Sequence, residues 1–75
     1  MEQKVIEIIA RILGVDVEDV ELDTAIGDLP GWDSLHHLQI IVELQKEFDI
    51  QYTQEDLLEL EDISDLIALT KEIAE

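Results

Sequence analysis

Cysteine is absent from this chain. No disulfide can staple it, and no thiolate can bind a metal or act as a nucleophile. Any thiol chemistry would have to be imported on a cofactor. Bases are scarce as well. Four lysines and arginines stand against 20 acids, for a formal net charge of −16. Such a chain repels nucleic acid and anionic lipid, and its natural partners carry basic patches. Long apolar runs are missing too. The longest is Leu66 to Leu69, far too short to cross a bilayer. The start, Met1-Glu2-Gln3-Lys4, runs straight into amphipathic sequence with no apolar targeting core. The expectation is a cytoplasmic monomer with no membrane and no nucleic acid among its partners.

What remains is a patterned small domain. The 75 residues are expected to form one domain, residues 1–75, with a core that rarely supplies more than about 3–5 kcal/mol at this size. Charge this unbalanced can mark disorder, but 47% of the residues are hydrophobic and they recur with helical spacing. In a first helix from about Glu2 to Leu13, Val5, Ile6, Ile8, Ile9, Ile12 and Leu13 share one face. Gln3, Lys4, Glu7 and Arg11 share the other. Gly14 is placed to end it. A long acidic connection follows, residues 15–33. Its Val15, Val17, Val20, Leu22, Ile26 and Leu29 are expected to pack down on the helices, and Gly27, Pro30 and Gly31 punctuate its end. A loop this long in so small a domain points to function. The second helix is expected from Ser34 to about Phe48. A short third covers residues 54–60, with Thr53 as cap and Asp56 completing a capping box. The last runs from about Asp65 to Ala74 with Ser64 as cap, and Leu66, Leu69, Thr70 and Ile73 form its inner stripe. The fold class is all-α: a small four-helix bundle of three main helices and one short one.

Ser34 sits where the loop becomes the second helix. Asp33-Ser34 can cap that helix through their side-chain oxygens. An exposed hydroxyl at a helix start is also a place where a cofactor could be attached. The second helix carries more apolar surface than one stripe requires. Ile40, Ile41, Leu44 and Phe48 cluster on one arc, and Leu35, Leu38 and Val42 form a separate seam. From the wheel alone, the seam is either buried between neighbours or a docking patch beside Ser34. His36 and His37 point about 100° apart and cannot chelate one ion together. His36 falls on the polar face. His37 falls on the inner arc and reads as a packed, hydrogen-bonded histidine. No catalytic residue is assigned.

Several sites are excluded. Ser34 is not a nucleophile elbow, because His36 stands where that motif needs glycine. Trp32 occupies the glycine position of the Gly-Asp-Ser-Leu hydrolase motif, and the chain is too short for those folds. The acidic stretch Asp16-Val17-Glu18-Asp19-Val20-Glu21 lacks the glycine of an EF-hand loop. No P-loop, dinucleotide fingerprint or zinc-ligand spacing is present, and no metal ligand is assigned.

Asp33-Ser34-Leu35, opening a helix after a long acidic loop, resembles the phosphopantetheine attachment site of acyl carrier proteins and peptidyl carrier domains. The resemblance extends over the whole chain. It includes the order of helices, Asp23-Thr24-Ala25-Ile26-Gly27-Asp28-Leu29 before the site, and Glu47-Phe48-Asp49-Ile50 after the second helix. It implies an acyl-carrier-protein-like bundle that is a carrier rather than an enzyme. A phosphopantetheinyl transferase would move 4′-phosphopantetheine from coenzyme A to Ser34, making the chain a phosphoprotein. The arm's thiol would hold acyl groups as thioesters, which answers the missing cysteine. Asp33, Leu35, Leu38, Val42 and Glu43 would meet acyl-activating and acyl-transferring enzymes with basic docking patches. The pathway implied is fatty-acid or specialised lipid or polyketide-type biosynthesis. An aminoacyl or peptidyl carrier loaded by an adenylating enzyme is an alternative within the family, and an unmodified helical interaction module is one outside it. The second helix departs from the fatty-acid type: His36, Gln39, Gln45 and Lys46 stand where acids are common. Gly31-Trp32 before Asp33 is more similar to specialised carriers than to the housekeeping one. A free-standing protein and a domain excised from a synthase both fit the sequence.

Overall fold

The computed structural model describes residues 2–75. Four helices follow one another: α1 (Glu2–Leu13), α2 (Ser34–Phe48), α3 (Gln54–Leu58) and α4 (Ile63–Ala74). One 3₁₀ turn, Val17–Asp19, interrupts the long connection. Among the described residues there is no strand, only an isolated bridge between Ala25 and Asp62.

Helix α1 buries Val5, Ile8, Ile9 and Ala10, and leaves Gln3, Lys4, Glu7 and Arg11 exposed. Gly14 ends it in the left-handed region at φ +72°, where a side chain would be strained. The Gly14 and Val15 N–H groups both return to the Ala10 carbonyl, which satisfies a free acceptor of the last turn. On α2, Ile40, Ile41 and Leu44 are buried, and Phe48 packs against them half-buried. From α4 come Ile63, Leu66 and Ile67. These three faces, joined by Val20 and Trp32 from the connection, form one hydrophobic cluster. Thr70, also buried, gives its hydroxyl proton to the Leu66 carbonyl at 2.7 Å. The Tyr52 hydroxyl, 2.7 Å away, therefore donates to Thr70.

Three expectations are corrected. First, α4 begins at Ile63 and its cap is Asp62, not Ser64. Asp62 accepts the Asp65 N–H at 2.9 Å, and the Asp65 carboxylate accepts the Asp62 N–H at 3.4 Å. Ser64 instead donates to Asp62 at 2.7 Å. A carboxylate suits the positive end of a helix better than a hydroxyl does. The earlier start brings Ile63 into the helix, and Ile63 and Ile67 are buried while Leu69 and Ile73 of the expected stripe are half-buried. Second, α3 stops at Leu58, short of residue 60, and Leu58 is exposed. Its predicted capping box is present: Thr53 accepts from Asp56 N–H at 3.1 Å, and Asp56 accepts from Thr53 N–H at 3.2 Å. Third, of the six residues of the connection expected to pack down on the helices, Val17 and Leu22 are exposed. Val20 is buried, and Val15, Ile26 and Leu29 pack half-buried against the core.

The connection is tied to the far side of the bundle by backbone rather than by periodic side chains. Ile63 and Ser64, whose N–H groups have no acceptor within α4, donate to the carbonyls of Thr24 at 3.1 Å and Leu22 at 2.9 Å. Ile26 N–H returns the pairing to the Glu61 carbonyl at 2.9 Å. The start of α4 thus anchors the connection, and the connection delivers the chain to the start of α2.

Candidate functional site

The approach to α2 is a succession of tight turns. Gly31 lies at φ +84°, which requires glycine for its backbone rather than for space. Trp32 N–H bonds the Leu29 carbonyl at 3.1 Å, and Asp33 N–H bonds the Gly31 carbonyl at 3.0 Å. Trp32 is 7% exposed and joins the core. Its indole N–H donates to Nδ1 of His37 at 3.1 Å, and the two rings lie 6.1 Å apart between centroids. His37 is thus the packed, hydrogen-bonded histidine expected. Burial lowers its pKa from the ordinary 6.5. Trp32 as its partner was not foreseen. The available signal was an indole N–H that must find an acceptor when buried.

Asp33 has extended backbone and caps α2. Its Oδ1 accepts the His36 backbone N–H at 2.8 Å and lies 2.8 Å from His36 Nδ1. The first of these bonds, then the second, holds the Asp33 carboxyl below its ordinary range. His36, read as solvated on the polar face, is partly exposed but paired with Asp33.

With Asp33 capping, Ser34 is the first residue of α2 rather than its cap. It is exposed, and among the described residues its hydroxyl has no hydrogen-bond partner. Among the described residues the backbone N–H groups of Ser34 and Leu35 likewise have no acceptor, whereas those of His36 and His37 go to Asp33. The next turns of α2 carry the seam. Leu35 is 62%, Leu38 60% and Val42 40% exposed, so the open reading of the wheel holds. Leu38 and Val42 line a shallow depression of about 330 Å³ with Ile12, Gln39 and Glu43. Glu43 lies 3.7 Å from Arg11 across the α1–α2 interface. Among the described residues no cluster of three metal-ligating groups occurs, and no helix is long and apolar enough to cross a membrane.

The structure thus brings together an exposed serine opening a capped helix, an exposed apolar seam along the same helix and an acidic connection before it. The family model for phosphopantetheine attachment sites matches residues 3–70. The chain belongs to that family, in its acyl carrier protein branch, and its prosthetic group is phosphopantetheine. It is similar to the acyl carrier protein of Streptococcus thermophilus, 41% identical over 70 residues, covering 93% of this chain and 90% of that one. The acyl carrier protein of Rickettsia bellii is 32% identical over 72 residues, covering 96% and 84%. Among solved structures, the holo acyl carrier protein from Geobacter metallireducens superposes with a TM-score of 0.85 at 25% identity, covering 96% of this chain and 83% of that one. The all-α bundle expected from the sequence is the fold observed.

Proposed function

We propose that Ser34 is the attachment point of 4′-phosphopantetheine, and that residues 1–75 act as one monomeric cytoplasmic domain presenting acyl thioesters to partner enzymes. One observation carries this. The capping duty belongs to Asp33, so the Ser34 hydroxyl is exposed and unengaged beside two free backbone N–H groups at a helix start. That setting fits a phosphodiester, because the N–H groups and the helix dipole both favour negative charge. When bound, the arm supplies the thiol the chain lacks.

The protein's own residues bind and orient. Asp33 presents a carboxylate beside the serine. Leu35, Leu38 and Val42 offer apolar contact along α2, and Glu43 borders it. A phosphopantetheinyl transferase and acyl-handling enzymes with basic docking patches are the partners this surface suits. The exposed face of α2 holds fewer acids than the connection and residues 55–65, which favours specialised lipid or polyketide-type biosynthesis over general fatty-acid synthesis. Intact mass after incubation with a transferase and coenzyme A tests the reading. One phosphopantetheine per chain is expected. A chain that stays unmodified while a control carrier is loaded identifies an unmodified interaction module instead.

A further inference from the structure

We propose that His37 is a positioning residue for Ser34. In its neutral form it anchors Trp32 and so fixes the Gly31–Asp33 approach in the geometry that partner enzymes meet. In its protonated form it releases Trp32.

The protonation states follow from the donor. An indole N–H can only donate, so His37 Nδ1, 3.1 Å away, is bare. The one proton of the neutral ring is on Nε2. A second proton has only Nδ1 to occupy, where it would face the indole N–H and break the bond. Trp32 lies two residues before Ser34 and His37 three residues after it, so the bond closes a short loop around the serine. Apart from the two contacts of Asp33 with His36, it is the one side-chain hydrogen bond joining the approach to α2 among the described residues.

The surroundings leave the switch to His37 itself. Asp33 and His36, the other titratable side chains on the same junction, are engaged with each other at 2.8 Å. Among the described residues, no acid or base of α1, α3 or α4 is hydrogen-bonded or ion-paired to His37, whose bonded partner is Trp32. Burial disfavours its cation and lowers its pKa. The sign follows: the bond is intact at neutral pH and is lost as pH falls below the ordinary histidine value of 6.5.

This inference rests on the carrier reading, and two measurements keep them separate. Trp32 is the sole tryptophan, so its emission follows the bond directly in the unmodified protein. The second measurement is kcat/KM for transfer of phosphopantetheine from coenzyme A to Ser34, normalised at each pH to a control carrier lacking the pair. His37→Asn places an amide oxygen as many bonds from Cβ as Nδ1 and accepts without titrating. Trp32→Phe keeps a ring and removes the donor.

From pH 8 to 5 the wild type should show one emission transition below pH 6.5. Transfer should fall through it about two- to tenfold, the span that loss of one hydrogen bond allows. His37→Asn should be flat in both at the neutral wild-type level. Trp32→Phe should be slow at every pH. A wild-type transfer profile matching that of His37→Asn overturns the proposal, as does an emission transition with no change in transfer. If His37→Asn does not fold, Trp32→Phe decides alone, and a wild-type pH profile in it overturns the proposal. No transfer to the wild type at any pH is a different failure. It overturns the carrier reading, while an emission transition missing from His37→Asn would still uphold the histidine–indole switch.

Discussion

At the scale of single residues, Asp33 and Ser34 were both competent to cap α2 by sequence. Asp33 takes the cap, and Ser34 is left free. This separates charge from structure at Asp33, because asparagine caps about as well as aspartate but carries no charge. Asp33→Asn should keep neutral-pH stability and slow transfer by a basic transferase, which is checked by thermal melts beside transfer rates. The pH dependence has a definite sign. Hydrogen bonds hold the Asp33 and Asp62 carboxyls below the ordinary 3.8. Each therefore contributes stability that is fully present above 3.8 and is lost as pH falls through its lower folded value. Protonation of the remaining carboxylates relieves repulsion in wild type and variant alike, so their difference isolates Asp33. Between pH 4 and 2 the melting temperature of Asp33→Asn should fall less than that of the wild type. Parallel curves would mean the bonded carboxylate adds nothing.

At the scale of elements, α2 presents a buried arc and an exposed seam that respond differently to truncation. Leu44→Ala removes a fully buried side chain and should cost about 2–5 kcal/mol, comparable to the most that a core of this size usually supplies. Leu38→Ala should shift stability by no more than about 0.5 kcal/mol, while slowing transfer to partner enzymes. Urea melts of both variants beside transfer assays decide it, and equal destabilisation would place the seam in the core. The end of α2 makes a second prediction. Among the described residues Asp49 is the one non-glycine at positive φ, 54°, and it puts negative charge at a helix C-terminus. Asp49→Gly should raise stability by about 1 kcal/mol in urea melts. The helices were legible where spacing and a punctuating residue agree: α1 ends at Gly14, and α2 spans the residues read for it. The start of α4 was not, because Asp62 and Ser64 are both competent caps. The carbonyls of Leu22 and Thr24 that complete that start come from about forty residues earlier in the chain. A wheel could find two stripes on α2 but not say which one neighbours cover. The connection has no period at all, so the burial of Trp32 and the exposure of Val17 and Leu22 were beyond sequence reasoning.

At the scale of the whole molecule, a net charge of −16 is held in a compact body. The Cα radius of gyration is 11.1 Å, close to the roughly 11 Å expected for a compact chain of this length. Only one ion pair joining a base to an acid is formed among the described residues besides the His36–Asp33 contact, namely Arg11 with Glu43. Self-repulsion among residues 16–28 and 55–65 is therefore left to solvent ions. The melting temperature should rise from low salt to 0.1 M, where screening shortens the interaction to about 10 Å. Magnesium should raise it further without a sharp saturation point. A melting temperature independent of both would show that repulsion does not limit this fold. The same acidic body carries the exposed serine, and the central claim is that this one hydroxyl takes the prosthetic group. The most direct test is peptide mapping of wild type and Ser34→Ala after incubation with a transferase and coenzyme A. Ser34 is not the cap, so Ser34→Ala should stay folded, within about 0.5 kcal/mol of the wild type. The wild type should carry a single phosphopantetheine, on the peptide containing Ser34, and the variant none. A group found on Ser64, or a loaded Ser34→Ala chain, would contradict the account.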